Sequence, residues 1–66
     1  MSANNFILIR ENDSGEFWVE ECDIESGETL ETIGDYKHSL DALTAASDFI
    51  YENEVEGGIS FRKYTP

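Results

Sequence analysis

Cations are what this 66-residue chain has least of: four lysines and arginines stand against fifteen aspartates and glutamates, a net charge of −11. A surface this negative is repelled by nucleic acid and by anionic lipid. That argues against direct DNA, RNA or membrane binding and makes a cationic protein the natural partner. Cysteine occurs once, at Cys22, so no internal disulfide can form, and a lone thiol fits a reducing cytoplasm. No apolar run is long enough to span a membrane, and Met1-Ser2-Ala3-Asn4-Asn5 has no basic region of a signal peptide. Also missing are a CxxC pair, a phosphate-cradling glycine loop and any paired-carboxylate cleft that so small a fold could enclose. The expectation is a non-enzyme with no cofactor, no catalytic residues and no metal site.

What is present is enough apolar surface to collapse. Hydrophobic residues make up 39% of the chain, with four Phe, three Tyr and one Trp, so a folded domain is expected rather than disorder. Sixty-six residues allow one domain and one small core, worth only a few kcal/mol of net stability.

The run Phe6-Ile7-Leu8-Ile9 is continuous, apolar and β-branched, and reads as a strand over 5–10 that is buried on both faces and central. Strands follow at 16–22 and 28–33. Phe17, Val19 and Glu21 share one face of the second, and Trp18, Glu20 and Cys22 the other. The polar third strand suits an edge. Ser14-Gly15-Glu16 and Ser26-Gly27-Glu28 punctuate a three-stranded meander, each Gly in a left-handed turn position.

The one convincing helix spans 39–54. Ser39 is its expected N-cap, Gly57 and Gly58 its expected terminators, and Ala42, Leu43, Ala46, Phe49 and Ile50 its inward arc. A last strand at 58–64 completes a β-β-β-α-β order, an α+β layer in which one helix covers one face of a small antiparallel sheet. The helix is expected to cover Phe6, Leu8, Phe17, Val19, Leu30, Ile59 and Phe61. Ile7, Ile9, Trp18 and Tyr64 are left on a bare face, unless a one-residue register shift exchanges the sets.

Chemistry is scarce. His38, the single histidine, sits at the start of the helix with no nucleophile beside it. Cys22 is flanked by Glu20, Glu21 and Asp23, which raise a thiol's pKa and make it inert. Glu11 to Glu16 matches the first part of a calcium loop without the later ligands.

The carboxylates therefore carry the functional reading. Asp41, Asp48 and Glu52 form one helix stripe. Asp48 and Glu52 are a like-charged i,i+4 pair, and Glu52, Glu54 and Glu56 crowd the helix's negative end, where cations are preferred. Glu16 with Glu20, and Glu21 with Glu28 or Glu31, are expected to project from neighbouring strands. Alternate strand residues lie about 6.6–6.8 Å apart, a spacing on the scale of phosphates along one DNA strand. In size, acidity and element order the chain resembles small phage-encoded inhibitors of bacterial defence, anti-CRISPR proteins and DNA mimics among them. The resemblance implies a cytoplasmic, host-directed inhibitor that covers the DNA or RNA site of a basic effector. The expected contact residues are Asp41, Asp48, Glu52, Glu20, Glu21, Asp23, Glu25, Glu28 and Glu31, with Trp18 or Tyr51 as aromatic anchor. Two alternatives stay open: a homodimer that buries Ile7, Ile9 and Trp18, and an immunity or antitoxin protein neutralising a basic nuclease.

Overall fold

In a computed structural model that describes residues 4–63, the elements run β1 (Asn5–Glu11), β2 (Phe17–Asp23), β3 (Thr29–Tyr36), α1 (Ser39–Asn53) and β4 (Ile59–Lys63). The α+β class and the β-β-β-α-β order are those the sequence implies. The four strands form one sheet in the order β3-β2-β1-β4, with β1 inside and β3 at an edge. Both meander glycines take the left-handed conformation, at φ 83° for Gly15 and 75° for Gly27. Tyr64, read as part of the last strand, lies outside the described residues.

One pairing differs from the antiparallel expectation: β4 runs parallel to β1, Ile7 beside Ile59 and Glu11 beside Lys63. The meander makes β1 and β3 parallel to each other, and a helix returning the chain across the sheet lets β4 start at the same end as β3. β3 also reaches three residues further than the sequence implies, to Tyr36 opposite Phe17, through irregular register against β2.

The helix covers the face that holds Ile7, Ile9 and Val19, all fully buried, and seals it with Ala42, Ala46 and Val55. The β1 sets are therefore exchanged relative to expectation. Ile9 lies opposite Val19 and Glu11 opposite Phe17, which places Ile7 and Ile9 under the helix and Phe6 and Leu8 on the other face. A homodimer burying Ile7 and Ile9 is ruled out in that form, because both are already covered. Leu8 is buried as well, at 2% exposure on the helix-free face, so β1 is enclosed from both sides. Leu30, Ile59 and Phe61 are not covered; they stay 52%, 38% and 55% exposed.

Within the helix, Phe49 and Ile50 are half-buried against the core, but Leu43 is 43% exposed and drops out of the expected inward arc. α1 packs on β1, β2 and β3, so the flank that carries Leu43 has little beneath it. The N-cap is His38, one residue before Ser39, with no side-chain bond; its carbonyl accepts the Ala42 N–H. At the other end Glu54, not a glycine, takes the left-handed position at φ 53°. Gly57 is needed for proximity instead: its N–H donates to the Asn5 carbonyl, and a Cβ there would strike that backbone.

Two stability outcomes follow from this packing. Ile9→Ala is expected to cost about 2–5 kcal/mol and Leu43→Ala less than about 1 kcal/mol in urea unfolding. Glu54→Gly should raise stability by about 1 kcal/mol in the same assay, since it relieves a left-handed residue that has a side chain.

Candidate protein-binding surface

The strand registers sort the charges. Asn5, Asp23 and Thr29 begin or end strands at one end of the sheet; Glu11, Phe17, Tyr36 and Lys63 mark the opposite end. The helix runs back along β3, and Gly57 beside Asn5 brings its C-terminus to the first of these ends. Eight carboxylates gather there: Glu21, Asp23, Glu25, Glu28, Glu31, Glu52, Glu54 and Glu56. No lysine or arginine accompanies them. Arg10, Lys37, Arg62 and Lys63, the chain's four, all lie toward the other end. The C-terminus of the helix adds about half a negative charge to the acidic end.

Local rules are broken at that end. Glu21 lies directly opposite Glu31 on the neighbouring strand, where like charges repel. The last turn of the helix has no basic residue. Asp23 is occupied locally: its carboxylate accepts the backbone N–H groups of Glu25 and Ser26 at 2.7 and 3.2 Å, closing the turn. Glu21 is half-buried and accepts from the Asn5 amide at 2.9 Å. Glu25, Glu28, Glu31 and Glu52 are exposed.

Glu20 stands apart. It is 9% exposed, on the helix-free face opposite Leu8. Arg10 Nε and Trp18 Nε1 donate to it at 2.8 Å each, and Thr29 Oγ1 at 3.1 Å. Burial by itself raises a carboxyl's pKa, but these three donors and the Arg10 charge outweigh it and hold Glu20 below its ordinary value. The expected row of Glu16 with Glu20 does not form, because Glu20 is turned into this network and Glu16 lies in the preceding turn. Cys22, beside Phe6 on the same face, is fully buried; burial foremost, then the Glu20 charge, pushes its thiol up. Desolvation thus contributes more than the flanking acids that the sequence points to.

Comparison with known proteins returns no matching family model, no similar curated protein and no similar solved structure.

Of the expected contact residues, Glu21, Asp23, Glu25, Glu28, Glu31 and Glu52 share the acidic end. Asp48 lies just over one helical turn before Glu52 on the same stripe. Asp41 is separated from them, in the first turn at the opposite end. Trp18 is half-buried with its N–H committed to Glu20, which suits it to supporting the sheet, whereas Tyr51 is 87% exposed on the helix. Glu54 and Glu56 belong with the acidic end, and their crowding at the helix terminus is the sequence signal for it. The Asn12 side chain accepts the N–H groups of Ser14 and Glu16 and so is used to close its turn. A shallow cleft of about 300 Å³ lies at the cationic end, lined by Asn12, Phe17, Trp18, Asp35, Tyr36 and Lys37 among others. No helix among the described residues is long and apolar enough to cross a membrane.

The Glu20 network has a testable pH signature. A carboxyl with a lowered folded-state pKa contributes stability above its unfolded value and loses it as pH falls. Glu20→Gln should cost about 1–3 kcal/mol at neutral pH. The gap from the native chain should stay constant above 4.5, the ordinary glutamate value, and narrow as pH falls below it, in denaturant melts across that range.

Proposed function

We propose that the chain is a non-catalytic inhibitor whose acidic end docks into a Lys/Arg-lined, nucleic-acid-binding site of a partner protein and blocks it. The supporting observation is the charge sorting: eight carboxylates at one end of the sheet without a compensating cation. Spread evenly, fifteen acids would make a soluble surface. Concentrated on one end, with Glu21 facing Glu31 and three glutamates at the negative helix terminus, they cost the fold stability. Such local disagreement with folding is expected where a surface serves binding.

A groove built for phosphates offers fixed cations at intervals, and a rigid sheet edge and helix end offer fixed carboxylates. Because the backbones that carry these charges are already ordered on this chain, the electrostatic match appears as fast association and strong salt dependence. In mode of action such an inhibitor would resemble the phage-encoded DNA mimics and anti-CRISPR inhibitors of host defence proteins.

Glu31→Lys separates this from generic acidity, because it removes a repulsive pair. Stability should rise by about 0.2–1 kcal/mol, while capture of the partner weakens. The captured protein should elute with moderate salt and lose its DNA or RNA binding when titrated with native chain, but not with a Glu28→Lys, Glu31→Lys, Glu52→Lys variant. Salt-independent capture, or equal blocking by that variant, would contradict the proposal.

A further inference from the structure

Besides its acidic end, the molecule presents a sheet edge to which no further strand is paired among the described residues. Among the described residues β4 pairs only with β1, and all five of its residues are exposed. The Ile7 N–H donates to the Gly58 carbonyl at 2.9 Å. In a parallel ladder alternate residues bond the neighbour, so Ser60 and Arg62 direct their backbone groups at β1. Ile59 and Phe61 direct theirs outward. The same two residues carry apolar side chains on the helix face, 38% and 55% exposed, outside the main packing of α1 on β1, β2 and β3. A right-handed crossover, the hand nearly all β-α-β connections take, turns the Leu43 and Ile50 flank of the helix toward them. Both edges carry charge, but of opposite sign: β3 has Glu31 and Asp35, whereas β4 has Arg62 and Lys63 and no carboxylate.

We infer that this edge binds a second copy of the chain, β4 to β4 in antiparallel fashion about a two-fold axis through Phe61, giving one eight-stranded sheet. Charge complementarity selects this occupant and this direction. In the antiparallel arrangement the acidic end of each copy lies beside the cationic end of the other. A parallel neighbour would set acidic end against acidic end. Phe61 falls opposite its own symmetry mate as a hydrogen-bonded pair, and Arg62 falls opposite Ser60 rather than another arginine. The inference is independent of the inhibitor reading: Glu28 and Glu31 lie on or next to the far edge strand and stay exposed in the dimer.

The test is light scattering on the full chain at micromolar concentration, with two variants. The native chain should run at twice its 7.5 kDa mass. Phe61→Pro removes an outward N–H without touching the β1 ladder; it should be monomeric with an unchanged far-UV circular dichroism spectrum. Phe61→Cys should form an intermolecular disulfide on mild oxidation, since residues paired across antiparallel strands lie about 5.5 Å apart at Cα. Tyr51→Cys, on the exposed helix surface, should not. If Phe61→Pro misfolds, the cysteine pair decides. A monomeric native chain, a mass beyond two copies, or a dimer in which Phe61→Cys fails to cross-link would overturn the inference.

Discussion

Ile7, Leu8 and Ile9 are consecutive residues on a strand, so their side chains alternate between faces, yet none is more than 2% exposed. A small sheet with one helix can enclose such a strand only by flanking it on both edges and covering it from both sides. β2 and β4 supply the edges. Ala42, Ala46 and Val55 cover one face. On the other, Glu20 lies across from Leu8 and ties Arg10 of β1 to Trp18 of β2 and Thr29 of β3. The buried carboxylate thus does for the helix-free face what α1 does for its own: it ties three strands together. Burial and hydrogen bonding are complementary here, since a buried glutamate is tolerable only with donors to satisfy it.

The same enclosure fixes the electrostatics. Once β4 is drawn alongside β1 in parallel, Arg62 and Lys63 must lie at the end where Arg10 and Lys37 already are. The opposite end is left with the second meander turn and the helix C-terminus, both acidic. Core packing and charge sorting are therefore one consequence of topology, and the chain becomes an object with a strongly negative end and a nearly compensated one. The negative end is the one a cation-lined partner would meet under the proposed function, and the opposite polarity of the two ends is what the proposed antiparallel pairing of two copies would use.

How far this was legible from the residues depends on where phase was encoded. Strand and helix positions were plain, because Ser-Gly-Glu turns and alternation in Phe17 to Cys22 mark them without tertiary information. The facing of β1 was not, since four successive apolar residues carry no alternation and only pairing with Val19 sets it. Leu43 has the helical phase of a core residue, but its burial depends on how far the sheet extends beneath it. Alternation correctly placed Glu20 with Trp18 and Cys22, whereas its bond to Arg10 required the strand register. The acidic end was half visible, in Glu52, Glu54 and Glu56. The rest hinged on the direction of β4: an antiparallel β4 would have carried Arg62 and Lys63 to the acidic end and erased the polarity.

That polarity is most directly measured by titrating the isotopically labelled chain with a trivalent inert cation, cobalt hexaammine, and following backbone amides by NMR. The account predicts saturable shifts confined to residues around Glu21, Glu28, Glu31 and Glu52 to Glu56, abolished by moderate salt, with Glu11 and Asp13 unaffected. Uniform shifts over all fifteen carboxylates, or shifts centred near Arg62, would contradict it.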